Sequence, residues 1–359
     1  MSQSNSHSKS VSLLVPTKDR SDFVVRLLDY YADTGFQGQV ILGDSSSGKH
    51  LQITADAIDQ LSSRLNVEHR EYPEFNVAQT TNALLTYVET EYCTLLPDDD
   101  FLCKPGVDQC VQFLDSNPDY VSAHGLGVMF ALKSGTATGE VTGFYYYRQG
   151  TLEGQTGAQR LEEMFNSYFV TNFSIQRTNS VRAMFQDAPG VTEWSFGAEL
   201  LPVGLSAVYG KAKELDCLFL VRQHHEQRYA LPDTIDWVTD PDWSTSYHGF
   251  LTRLVEALVE QDGITREDAI PVVKNAFRAY MKTRIAKENW NSKRFSGRVK
   301  NTARTVPGVR TFRNLARTFL PKRQNSISLK ELLKPSSKYH QDFLPVYKAI
   351  TKQTLASVP

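Results

Sequence analysis

No apolar run in this 359-residue chain approaches the ~20 residues needed to cross a bilayer, and its first ten residues, MSQSNSHSKS, lack the hydrophobic stretch of a signal peptide. That weighs against a spanning or secreted protein and predicts a cytoplasmic one with a loose tail over residues 1–10. Cysteine is scarce: Cys93, Cys103, Cys110 and Cys217 form no CxxC pair, so neither a zinc site nor a disulfide framework is expected. Glycine is missing from VPTKDRSDF, directly after the first apolar run, where a Gly-rich phosphate loop would need it. This argues against a sugar-phosphate nucleotidyltransferase. Acidic residues are absent from 289–330, which holds eleven Lys or Arg. Removing those from the 39 basic residues leaves 28 against 40 acidic ones, so an acidic body carries a basic C-terminal segment.

At 41% hydrophobic and 22% charged, the composition is globular. Its focal stretch is YCTLLPDDDFLCKPG, residues 92–106, in which a short β-rich run ends at Pro97 in three carboxylates, Asp98, Asp99 and Asp100. Adjacent carboxylates repel, so a fold tolerates them where water, a cation or a positive ligand offsets the charge; hard oxygen ligands suit Mg²⁺ or Mn²⁺. The plain alternative is a solvated acidic turn, with Asp100 capping a helix that starts near Pro105.

Upstream, VSLLVP (11–16) predicts a strand and the segment after it a helix capped by Ser21 or Asp22. QVILGDSS (39–46) predicts a second strand, 51–65 a helix, 67–72 a short strand and 76–89 a helix that leads into the aspartate-bearing strand. The βαβαβαβ order predicts a parallel, doubly wound sheet that binds ligands at the carboxyl ends of its strands. Thr17, Lys18, Asp19, Arg20, Asp44, Ser45 and Asp98 to Asp100 then share one edge. Taken singly, each has an ordinary reading as turn chemistry or a solvated charge.

VSLLVPTKDR, VILGDSS, Asn82 in TTNALL and LLPDDDFL together resemble the nucleotide-sugar-binding half of inverting family 2 glycosyltransferases of GT-A fold, over about residues 11–228. The resemblance implies a GT-A domain over 11–230 and stops there; apolar spacing predicts a helical region over 231–359. The resemblance also implies that Pro16, Thr17, Lys18 and Arg20 line the nucleotide pocket, with Ser45, Asn82 and Asp99 beside them. Asp44 would meet the base, Asp98 would face the ribose or metal, and Asp100 would hold the Mn²⁺ or Mg²⁺ on the diphosphate. The donor would be a nucleoside-diphosphate sugar and the acceptor a glycan or lipid-linked hydroxyl. These enzymes draw their general base from the start of a helix, often as an ED pair. No such pair occurs here, so Glu193 stands first and Glu199 in FGAELL second, with a capping or buried helix acid as the plain reading of the latter. That gap also keeps a non-catalytic glycan-binding protein on the same fold as an alternative. The tip RQHH offers His225, or His224, as a further metal ligand.

Between these motifs, AHGLGVMFAL predicts a strand, the tyrosines of FYYYRQG a hairpin or mobile loop with sugar-stacking rings, and 197–209 a helix despite Pro202. Residues 247–261, 266–286 and 329–355 carry helical spacing. The basic segment 289–330 suits packing on the acidic body or peripheral contact with an anionic membrane; nucleic acid is not an expected partner.

Overall fold

The computed structural model describes residues 10–133, 135–186, 190–226, 231–291 and 327–352. Strands β1 (Val11–Thr17), β2 (Gln39–Asp44), β3 (Asn66–Glu71) and β4 (Tyr92–Leu95) alternate with helices α1 (Ser21–Asp33), α2 (Gly48–Leu61) and α3 (Val77–Leu84). Their order is β3-β2-β1-β4, all parallel, as the alternation predicts. Beyond β4 the sheet is mixed rather than parallel throughout. There β8 (Ile175–Arg177) runs antiparallel to both β4 and β6 (Tyr120–Leu132), and β9 (Lys211–Gln223) runs parallel to β6. The two-residue β5 (Phe101–Leu102) pairs antiparallel with β9, and β7 (Val141–Tyr147) forms a hairpin with β6. The tyrosine-rich segment is thus a strand, not a loose loop.

Burial alternates along the central strands, so each face of the sheet has its own core. Leu13, Val15, Val40 and Leu42 pack beneath α1 and α4 (Lys104–Ser116), while Leu14, Ile41, Cys93 and Leu95 face the other side. On that second side lie α5 (Gly157–Asn166), α6 (Thr178–Phe185) and α7 (Leu201–Tyr209). The C-terminal helices join both cores. From the short α8 (Thr234–Val238), Trp237 packs with Phe250 of α9 (Trp243–Asp262) and Phe277 of α10 (Arg266–Asn291) on the α5–α7 side. Phe343, Val346 and Ile350 of α12 (His340–Thr351) enter the α1–α4 side, as does Leu332 of α11 (Leu329–Leu332). The single helix predicted over 329–355 is therefore broken in two, and the predicted basic segment lies outside the described residues over 292–326. Among the described residues, no helix is long and apolar enough to cross a membrane.

Pro202 shapes the element before α7. A proline has no N–H to donate to the carbonyl four residues back. Ala198, which stands there, receives instead the side-chain amide of Asn172 at 3.0 Å, and residues Ser195–Leu200 form a wide turn of π type. Such turns re-aim side chains at functional sites.

Candidate functional site

The parallel register of β1 with β2 places Thr17 opposite Asp44, and pairing with β4 brings residues 96–100 to the same edge. The loop after β1 is held by side chains. Asp19 adopts φ +53°, a left-handed conformation unusual outside glycine. Its N–H donates to Ser46 Oγ at 2.7 Å, and its carboxylate accepts the Ser47 N–H at 3.2 Å. Asp44 is buried, accepting the Ser46 N–H at 2.8 Å and His69 Nε2 at 3.2 Å. Burial pushes its carboxyl up, but the bonds from His69 and Ser46 prevail and hold it below the usual range. Beside it, Tyr72 donates its N–H to the Asp44 carbonyl, and its ring stacks on the exposed Phe75 at 5.0 Å.

The three aspartates are not a solvated turn: Asp98, Asp99 and Asp100 are 3%, 5% and 1% exposed. Asp98 accepts Thr17 Oγ1 at 2.7 Å and Arg20 at 3.2 Å. Asp99 accepts Arg20 at 2.8 Å and His225 Nε2 at 2.7 Å, while its carbonyl receives buried Arg26 at 2.7 Å. Asp100 accepts Arg222 Nε at 2.6 Å and the Gln223 N–H at 2.9 Å. Cations inside the fold therefore offset the repulsion that the sequence leaves open. Burial nonetheless pushes Asp98 up to about 7, against Arg20, and Asp100 up to about 6, against Arg222. Burial acts on Asp99 too, but His225 and Arg20 hold it below the ordinary carboxylate range. Nor does Asp100 cap the next helix: Cys103 precedes α4, without a side-chain cap.

One turn of α1 organises this cluster. Phe23 stacks on His225 at 5.1 Å and lies under Arg20 at 4.6 Å and Arg26 at 5.1 Å. Neither Ser21 nor Asp22 caps the helix; Ser21 Oγ pairs instead with His50 Nδ1 at 2.9 Å. Of the other expected residues, Pro16 is half-buried, Ser45 is buried, and Lys18, Asn82 and His224 are exposed.

Each residue of the expected metal set, Asp100, Asp98 and His225, already has partners within the fold. Both carboxylate oxygens of Asp98 and of Asp100 already accept bonds from Thr17 and Arg20, or from Arg222 and Gln223. Among the described residues, no group of three or more His, Cys, Asp or Glu is placed to hold a metal by itself. Asp99 Oδ2 and His225 Nε2 do face each other, at 2.7 Å. That oxygen also accepts Arg20 at 2.8 Å, so a cation held by this carboxylate and imidazole would have to displace both bonds and take its remaining ligands from phosphate oxygens and water.

The two candidate bases differ in their surroundings. Glu193 accepts the N–H groups of Ser195 (2.9 Å) and Phe196 (3.2 Å) and the indole N–H of Trp237 (2.9 Å), so it caps the turn of π type. Glu199 lies within that turn, half-buried, and accepts the hydroxyl of Tyr168 at 2.9 Å. Burial pushes its carboxyl up, against the Tyr168 bond and the charges of Arg222 and Arg284. Arg222, whose charge favours the ionised form of this acid, binds Asp100, donates to Tyr147 Oη at 3.0 Å, and lies against the rings of Tyr147 (4.9 Å) and Phe173 (4.5 Å). Gly127 permits this, since a Cβ there would stand 2.9 Å from the Tyr147 ring. A cavity of about 650 Å³ is lined by Arg148, Glu162, Glu163, Asn166, Ser167 and Phe169.

Sequence reasoning missed Arg222, Arg26 and Tyr168, and it read Tyr147 as a sugar-stacking ring rather than as the partner of Arg222. Arg222 stands inside the RQHH tip, and Arg26 interrupts the apolar run VVRLL, the signal that could have marked a buried cation.

No protein-family model and no curated protein matches this chain. Among solved structures, it is similar to Staphylococcus aureus TarS residues 1–349, at 13% identity and TM-score 0.50, covering 79% of this chain and 75% of that one. The complex of the same TarS fragment with UDP-GlcNAc matches at 17% identity and TM-score 0.50, covering 79% and 76%. At these identities the likeness is one of fold, and the chain carries a glycosyltransferase-type α/β fold with a helical C-terminal extension.

Proposed function

We propose that this protein transfers a sugar from a nucleoside diphosphate to a hydroxyl of a glycan or lipid-linked acceptor, with inversion. The observation that carries the reading is the convergence of Thr17, Arg20, Asp44, Asp99 and His225 at one sheet edge, joined through Asp100 and Arg222 to Glu199. The UDP-GlcNAc complex of the structurally similar TarS supports a nucleotide sugar as donor.

In this reading Asp44, fixed by His69, accepts a hydrogen bond from the base, and Phe75 offers the base a ring face. Lys18 and Arg20 attract the diphosphate. Asp99 and His225 would hold Mg²⁺ or Mn²⁺, a role we move from Asp100, and a cation there would supply charge neutralisation for the leaving diphosphate. Glu199, rather than Glu193, takes the proton of the acceptor hydroxyl as its oxygen attacks the anomeric carbon. The bond to the diphosphate breaks with its electron pair, and no covalent intermediate forms. A carboxyl raised by burial suits a base working near neutrality. A peripheral membrane contact through the basic segment stays part of the proposal and rests on sequence alone.

The test is release of nucleoside diphosphate from a panel of sugar nucleotides. Glu199→Gln should slow it by roughly 10²- to 10⁴-fold while leaving nucleotide binding unchanged. Undiminished turnover in that variant would remove Glu199 from the mechanism.

A further inference from the structure

Tyr168 is a half-buried phenol that this mechanism does not use. It leaves α5 within the segment that continues to Asn172, and its hydroxyl meets Glu199 at 2.9 Å. Its ring stands edge-on to Tyr280 of α10, with centroids 5.0 Å apart, and tilted against Phe165 at 6.0 Å. Tyr280 in turn lies beside Arg284, one helical turn on, whose guanidinium packs over Trp237 at 4.7 Å and donates to Thr234 Oγ1 at 3.0 Å. Trp237 itself holds Glu193, the cap of the turn that carries Glu199. Two routes from the C-terminal helices thus converge on one acid: one through Tyr280 and Tyr168 to its carboxylate, the other through Trp237 and Glu193 to its backbone.

We propose that Tyr168 is a positioning residue for Glu199, and that α8 and α10 form its buttress, so the C-terminal helices belong to the catalytic apparatus. This rests on Glu199 being the base. A carboxylate that takes a proton from a hydroxyl must keep one oxygen oriented toward the acceptor, and a single phenolic donor on Oε1 fixes the plane of the group and leaves Oε2 free for that role. A phenol in that position also stabilises the ionised acid, because it donates and a carboxylate accepts.

Tyr147 of β7, Arg222 of β9, Tyr168, and Tyr280 and Arg284 of α10 are the titratable and charged groups around Glu199. Arg222 and Arg284 favour the ionised acid, and so does the Tyr168 bond, all against burial. Deleting that bond while keeping the ring therefore raises the pH at which Glu199 ionises.

The experiment follows the carboxyl of Glu199 in the full chain by ¹³C NMR with labelled glutamate, the resonance identified by its loss in Glu199→Gln. In parallel, nucleoside diphosphate release from a sugar nucleotide is measured against pH. Tyr168→Phe is expected to shift the Glu199 titration to higher pH, to move the acid limb of the rate profile with it, and to lower turnover near neutrality at least tenfold with KM unchanged. Arg284→Gln should move both the same way by less, and it keeps the buttress testable if Tyr168→Phe folds poorly. An unmoved titration in folded Tyr168→Phe overturns the proposal. If Glu199→Gln turns over normally, the assignment of the base has failed instead; the titration then still reports whether Tyr168 controls the acid.

Discussion

Asp100 and Arg222 bind each other beneath the site, the carboxylate only 1% exposed, and neither is replaceable alone. Asp100→Asn leaves a guanidinium without its counter-charge and should cost about 3 kcal/mol of stability. Chemical denaturation checks this, and adding Arg222→Gln should cost less than the sum of the two single changes. Burial pushes Asp98 up to about 7 and Asp100 up to about 6, above the ~3.9 of an unfolded aspartate. The folded chain thus keeps protons that the unfolded chain has released. The stability they contribute is complete below about pH 4 and is lost as pH rises through 6 to 7. Asp98→Asn, which mimics the protonated form, should flatten that fall in denaturation midpoints measured from pH 4 to 8; a slope equal to wild type would mean that Asp98 is ionised throughout. At this scale the sequence was legible where a motif stood at a strand tip, as with Thr17, Asp44 and the aspartates. It was illegible where a role depends on a distant partner. Nothing near Asp100 announces Arg222, 122 residues away, and nothing near Glu193 announces that Trp237 makes it a cap.

Between α5 and α9 the chain uses one aspartate twice. Asp262 Oδ1 and Oδ2 accept the N–H groups of Gly157 and Ala158, at 2.7 and 2.8 Å, which clamps the end of α9 to the start of α5. α5 already has a reciprocal cap in Thr156 and Gln159, so the second clamp fixes the helix in place rather than starting it. Asp262→Ala should cost about 1–2 kcal/mol in thermal or chemical unfolding. The helices and strands up to β4 were readable because each buries one periodic face. The elements after β4 were less so. Whether β8 runs parallel or antiparallel is a property of its neighbours, and the Ala198 carbonyl in the turn of π type is satisfied by Asn172, 26 residues away.

For the whole molecule, the C-terminal helices close both faces of the sheet, a fact that helical periodicity alone does not disclose. Phe343 of α12 is fully buried against the α1–α4 core, with Phe144 of β7 at 5.8 Å. Phe343→Ala should destabilise the entire fold by about 3–5 kcal/mol, read as one cooperative transition in denaturant rather than loss of a detachable segment. The central claim, that this sheet edge binds a nucleoside diphosphate together with a cation, is tested most directly by thermal unfolding with UDP, GDP, CDP, ADP or TDP, with and without Mn²⁺. A ligand bound only by the folded chain raises the midpoint by mass action. One nucleotide should raise it, by more when Mn²⁺ is present, and Asp99→Ala should abolish the increment due to Mn²⁺. No shift with any of the five at millimolar concentration, in a chain that still unfolds cooperatively, would contradict the account.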